Sequence, residues 1–156
     1  MDSSKHDAPA PHGLDHSRIG HVLGYAVAQA EITTRKIYSK YIGHPMELRP
    51  VEFTILMLLL ANERVTQKQL CQALVLSAPN LTVLLDKLQE RGLLTRVRSD
   101  VDRRSQHILL TLAGEALARK AHEVSLTMER ETLRLSEGER LMLVELLQKV
   151  ARQRRG

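Results

Sequence analysis

Ser77-Ala-Pro-Asn-Leu81-Thr-Val-Leu84-Leu85-Asp-Lys-Leu88-Gln-Glu-Arg-Gly92 is the stretch on which the fold turns. Its leucines recur at i, i+3, i+4 and i+7, which places them in one stripe along an amphipathic helix. Ser77 can cap that helix, Pro79 sits in its first turn where no amide hydrogen is needed, and Gly92 follows its end as an acceptor of left-handed backbone. With the leucines turned inward, Asn80, Thr82, Val83 and Lys87 face outward or toward the flank.

Upstream, Thr66 followed by Gln69 has the form of a capping box, predicting a shorter helix that buries Leu70, Cys71 and Leu74. Before it, Pro50 opens a helix with Phe53, Leu56, Met57 and Leu60 on its apolar stripe. Further back, Ile19, Val22, Leu23, Ala26, Ala30 and Ile37 predict a long first helix that ends before Gly43 and Pro45. Downstream of Gly92 the period changes. Leu94 and Val97 fit one short strand, and Ile108 and Leu110 alternate with His107 and Leu109 in a second, so Arg98 to Gln106 reads as a polar, protruding hairpin tip. The helical period returns after Thr111 with Leu117, Ala121, Val124 and Met128. Ser136 and Glu139 form another capping box, ahead of a last helix carrying Leu143, Leu146, Leu147 and Val150.

The 156 residues suffice for a domain with its own core. Helix formers dominate, tryptophan is absent and Phe53 is the sole phenylalanine, so the fold class is mainly α. A formal charge of +5 suits a polyanionic partner, although charge alone does not separate DNA from RNA or an acidic membrane surface. The most apolar run, Phe53 to Ala61, closes at Asn62, Glu63 and Arg64, far short of a bilayer span. The opening Met1 to His16 has no apolar centre of the secretory kind and is expected to be a flexible tail on a cytoplasmic protein. Cys71 is the single cysteine and forms no internal disulfide, in keeping with a reducing compartment.

Two short capped helices followed by a hairpin with a basic tip are the parts of a winged helix-turn-helix, whose second helix enters the major groove of double-stranded DNA. Asn80 can offer adenine a paired donor and acceptor, Val83 can touch a thymine methyl, and Lys87 can reach phosphate or guanine. Arg103 and Arg104 would enter the minor groove or clamp phosphate. The candidate DNA contacts are Thr66, Gln67 and Lys68 at the start of the shorter helix, then Ser77, Asn80, Thr82, Val83 and Lys87, then Arg96, Asp102, Arg103 and Arg104 on the hairpin. Blander readings stand beside these: Asn80 and Thr82 equally satisfy amides at a helix start, Val83 can pack under a loop, and paired arginines commonly mark a solvated tip.

Leu88-Gln-Glu-Arg-Gly-Leu-Leu-Thr-Arg96, Asp100-Val-Asp-Arg-Arg104 and Leu110-Thr-Leu-Ala-Gly114 together resemble the MarR family of bacterial regulators, and the likeness runs from about Ile19 to about Val150. The resemblance implies an obligate homodimer in which the first and last helices of both chains interlock, a palindromic operator, and an Asp102 that holds Arg104 toward the minor groove. It divides the chain into a tail at 1–16, a dimerisation helix at 17–48, the winged region at 49–111 and dimerisation helices at 112–156. Arg49-Pro-Val-Glu-Phe53 also resembles members that govern aromatic-compound catabolism. That implies a repressor released by a small aromatic carboxylate or its thioester, with His21, Tyr25, Arg49, Phe53 and Met57 as candidate contacts. The sequence departs from the family where many relatives carry basic residues, at Ala78 and Val83, which shifts phosphate attraction from the helix to the wing.

No Gly-rich phosphate loop, nucleophile elbow or paired-carboxylate motif points to an enzyme, no cofactor is implied, and no Cys/His spacing suits a metal. Cys71 reads as a small inward-facing hydrophobe, since the peroxide-sensing relatives carry their cysteine in the first helix. An architectural DNA-binding protein without an effector is the competing reading of the same frame.

Overall fold

The structure, a computed structural model, describes residues 13–99 and 105–153. The expected tail therefore lies mostly outside the described residues. Secondary structure is mainly helical: α1 Leu23–Tyr38, a π turn Ser39–Gly43, α2 His44–Met46, α3 Pro50–Ala61, α4 Gln67–Leu74, α5 Ala78–Glu90, α6 Leu112–Thr132 and α7 Glu137–Arg152. Three strands join them, β1 Val65–Thr66, β2 Leu94–Arg98 and β3 Gln106–Leu110. The chain separates into two compact units, one through Lys36 and one from Ile37. In the first, the helical residues of α1 include none that is buried, and Leu23, Val27 and Ile32 are all exposed.

The second unit has two apolar cores. One gathers Leu70 of α4, Leu81, Leu84, Leu85 and Leu88 of α5, and Leu93, Leu94 and Ile108 of the hairpin against Ile55 and Leu59 of α3. At about 2 kcal/mol for each fully buried leucine, the α5 stripe seats that helix more strongly than its polar contacts can. The other core packs Ile42, Met46, Leu48 and Leu56 against Ala118, Ala121 and Met128 of α6. Helix α3 thus lies between two cores. This corrects the single stripe expected for it: Ile55 and Leu59 face one core and Leu56 the other, while Phe53, Met57 and Leu60 are only partly buried. The expected stripe is the face on the second core; a helix apolar on all sides carries no clear stripe, so its period alone showed one face of two.

The first helix also runs on where a stop was expected. Beyond Tyr38 the chain widens into the π turn, passes through Gly43, and puts Pro45 in the first turn of α2, where a missing amide hydrogen costs nothing. The real stop is Glu47, left-handed at φ 51. The sheet has order β1-β3-β2, antiparallel throughout, with Val65 opposite Ile108, Leu94 opposite Leu110 and Arg98 opposite Gln106. Strand β1 was not foreseen, because two β-branched residues before a capping box are too short to show a period of two.

Candidate nucleic-acid interface

Helix α4 begins as expected: the Thr66 hydroxyl accepts from the Gln69 amide at 3.3 Å while the Gln69 side chain accepts from the Thr66 amide at 2.8 Å. It ends at Val75, left-handed at φ 54, an uncommon conformation for a β-branched residue, so the tight turn into α5 stores strain on the order of 1–3 kcal/mol. Ser77 then holds the extended backbone of a cap, but its hydroxyl makes no capping bond, which corrects the role expected of it. The two helices are tied together instead by Gln67, whose side-chain amide donates to the Thr82 hydroxyl at 2.7 Å, while that hydroxyl donates to the Ala78 carbonyl at 2.9 Å. Gly92 takes the left-handed conformation read from the sequence, at φ +69.

Asn80, Val83 and Lys87 are exposed on α5, opposite its buried leucines, as are Ser77 and Lys68, whereas Thr66, Gln67 and Thr82 are half-buried. Arg96 of β2 reaches back to α5, donating to Asp86 at 2.7 Å and to Gln89 at 2.8 Å. Asp86 is half exposed, so the pair contributes no more than about 1 kcal/mol, and its main effect is to fix the hairpin against the helix. The Ser99 amide donates to the Ser105 carbonyl at 2.9 Å and closes the base of the wing. Asp102, Arg103 and Arg104 lie outside the described residues.

The Leu-Thr-x-x-Gly run has a structural explanation. Thr111 caps α6 by accepting from the Gly114 amide at 3.0 Å, donates its hydroxyl to the Gly92 carbonyl at 2.5 Å, and sends its own amide to the Leu93 carbonyl at 3.1 Å. A Cβ at Gly114 would stand 1.7 Å from the Leu93 carbonyl oxygen. Only glycine lets α6 start against the end of the hairpin.

The residues expected to hold an effector fall in both units. In the first, His21 is exposed just before α1, and the half-buried Tyr25 meets the His16 ring nitrogen through its hydroxyl. In the second, Phe53 packs edge-on to Tyr38 at 5.8 Å between ring centroids, and Met57 is half-buried beside the same core. Arg49 precedes α3 and is partly committed: its guanidinium donates to one Glu52 oxygen at 2.8 and 3.0 Å, and its amide to the other at 2.9 Å. Burial alone would raise the Glu52 pKa, but the Arg49 hydrogen bonds and the charges of Arg49 and Arg91 outweigh it and hold the carboxyl below its ordinary value. Burial, then the Glu52 charge, pushes Tyr38 up to about 12, and its neutral hydroxyl donates to the Leu48 carbonyl at 3.0 Å. Sequence reading missed Tyr38, Glu52, Asp86 and Arg91. Glu52 stands three residues past a cap position, yet an arginine at that position hides the pattern.

Among the described residues, no group of three or more His, Cys, Asp or Glu could hold a metal, and no described helix is long and apolar enough to cross a membrane.

The MarR family profile matches residues 47–105, a range that includes α3, β1, α4, α5 and β2. The HTH-type transcriptional regulator PecS of Dickeya dadantii (strain 3937) is 36% identical over 119 residues, covering 74% of this chain and 69% of PecS. Among solved structures, the transcriptional repressor CouR bound to a 23-mer DNA duplex superposes with a TM-score of 0.82 at 32% identity, covering 88% of this chain and 98% of CouR. CouR bound to p-coumaroyl-CoA gives 0.77 at 31% identity, covering 89% and 98%. The chain belongs to the MarR family of DNA-binding transcription regulators.

Proposed function

We propose that the protein is a dimeric, ligand-responsive repressor, acting in the cytoplasm, that holds a palindromic operator and releases it on binding a small aromatic carboxylate or its thioester. The observation that carries the DNA half is the exposed face of α5, where Asn80, Val83 and Lys87 stand clear of a buried leucine stripe. Two such helices, one from each subunit, read successive major grooves about 34 Å apart. Asn80 addresses adenine, Val83 a thymine methyl and Lys87 phosphate or guanine, while Ser77, Thr66 and Lys68 lie near the phosphates at the helix starts. Gln67 donates to the Thr82 hydroxyl, which donates in turn to the Ala78 carbonyl, and the two side chains act by orienting α5. Arg103 and Arg104 supply the wing contact to the minor groove or to phosphate, with Asp102 holding Arg104 in place.

The dimer rests on the apolar faces of α1 and α7. The ligand half rests on Phe53 against Tyr38 with Arg49 nearby, an aromatic wall and a cation suited to an aromatic acid, and on the relative CouR, solved both with DNA and with p-coumaroyl-CoA. Release needs a ligand that prefers the DNA-incompetent arrangement, since equal affinity for both arrangements shifts nothing. Moving a population from almost all competent to almost all incompetent takes a preference of roughly 10⁴-fold.

The test is a gel-shift titration of operator-bound protein with benzoates, phenylacetates, cinnamates, indole acids and their thioesters. One palindromic site and release by a member of the panel are expected, with Arg49→Ala raising the releasing concentration about tenfold, which is about 1.4 kcal/mol. A response unchanged in Arg49→Ala, or no release at all, would overturn the pocket chemistry. Binding without sequence preference would replace the regulator with an architectural protein.

A further inference from the structure

Helix α5 is seated by one leucine stripe, which fixes the face it buries but, being non-directional in its attraction, leaves small changes of roll to be set by directional contacts. Hydrogen bonds at fixed points resist such a roll. Two such points have been described, Gln67 to Thr82 near the start of α5, and Arg96 to Asp86 and Gln89 on the side of the hairpin. The third is at the far end. Arg91, the residue that ends α5, sends its guanidinium to the Glu47 carbonyl at 2.8 Å and the Met46 carbonyl at 3.3 Å.

Those carbonyls belong to the turn that closes α2, where Glu47 is left-handed and oxygens at a helix C-terminus carry partial negative charge. The same few residues hold the effector-side cluster: the next carbonyl, of Leu48, accepts from Tyr38, and the next residue, Arg49, is fixed by Glu52. The positive charge of Arg91 also contributes to holding Glu52 ionised. The end of the helix offered to DNA is thus fastened to the backbone beside the aromatic wall, 44 residues away in sequence.

We propose that Arg91 is a positioning residue for DNA readout, a strut that sets the roll of α5 from the 46–49 turn and through which displacement of that turn reaches the DNA-facing side chains. The proposal rests on α5 being the groove-reading helix. The strut touches no DNA, so its removal misdirects Asn80 and Val83 without removing a phosphate contact.

The experiment compares Arg91→Ala, Arg91→Lys and Lys120→Ala, the last removing one charge from the exposed surface of α6, by fluorescence anisotropy on the operator and on a random duplex across a salt series. For Arg91→Ala the expected result is operator affinity lower by about tenfold, affinity for random DNA unchanged, and an unchanged slope of log affinity against log salt, since that slope counts phosphates neutralised. Arg91→Lys reaches one carbonyl and restores most of the loss. Lys120→Ala matches the parent. A slope reduced by about one, with both duplexes weakened alike, would make Arg91 a phosphate contact and overturn the strut. Operator affinity equal to the parent, or a loss wholly explained by a lower thermal midpoint in both Arg91 variants, would overturn it as well. If Asn80→Ala leaves operator affinity unchanged, the failure lies with α5 as the groove reader and not with the strut.

Discussion

The α3–α5 region with its hairpin and the helix α7 are both rich in leucine, and they use it in opposite ways. Around α5, Leu81, Leu85 and Leu88 are fully buried, and the chain covers its own apolar stripe. Helix α7 carries Leu141, Met142, Leu143, Val144, Leu146, Leu147 and Val150, yet the helix buries no residue, and α1 in its own unit is likewise uncovered. The α5 stripe is thus covered by its own neighbours, whereas α7, and α1 within its own unit, leave apolar side chains exposed. A second copy of the chain is the cover proposed here.

The largest expected effect breaks that contrast directly. Leu143→Asp combined with Leu147→Asp puts two charges on the face proposed for the partner, and burying each unpaired costs several kcal/mol. Sedimentation should show a dimer for the parent at low micromolar concentration, a monomer for the variant, and loss of operator binding with it. A folded, stable parent monomer would remove the dimer from the proposal and leave the exposed leucines unexplained.

A glycine in each region sharpens the comparison with opposite signs. Gly114→Ala drives a methyl into the Leu93 carbonyl, and backbone on both sides prevents easy relief, so the variant should lose on the order of 3 kcal/mol and denature at a lower urea midpoint. Gly138 of α7 has nothing within 4 Å of an added Cβ, and alanine there should gain up to about 1 kcal/mol by restricting the unfolded chain. A destabilising Gly138→Ala would mean that the partner helix approaches α7 at that point.

Legibility followed locality in both regions. The leucine stripe of α5, the capping boxes at Thr66 and Ser136 and the left-handed Gly92 stand in the structure as the sequence implied, because each is local and its residue types admit few alternatives. One face of α3 was missed because a helix between two cores has no single stripe. The π turn was missed because Gly43 and Pro45 normally signal a stop, and only packing of Ile42 into the second core makes passage worthwhile. Polar struts were illegible for another reason: Arg91 to Met46 and Glu47, and Arg96 to Asp86, link residues far apart in sequence whose meeting depends on tertiary structure. Chemical type and family likeness point to Arg49 as an effector contact, and neither reveals that Glu52 already holds it.

The smallest effect concerns that ion pair, in which a half-exposed Arg49 holds a buried Glu52 within the self-covered region. Glu52 is 5% exposed and its carboxyl is held below the ordinary range, so its contribution to stability is present above the unfolded-state pKa and is lost as pH falls through the folded-state value. Glu52→Gln keeps an acceptor for the Arg49 amide but gives up the charge, and should cost about 1 kcal/mol at neutral pH, the scale of a lost helix cap. Its urea midpoint should then fall less steeply than that of the parent as pH drops below about 4.5, so the two curves converge in acid. Tyr38 supplies the complementary limb: with its pKa raised to about 12, the folded state keeps a proton that the unfolded chain loses near 10, and stability declines across that interval as pH rises. Tyr38→Phe should flatten the alkaline limb and leave the acid limb in place. Parallel acid limbs for parent and Glu52→Gln would show that the Arg49–Glu52 pair contributes nothing to the fold, and that Arg49 is free to serve a ligand alone.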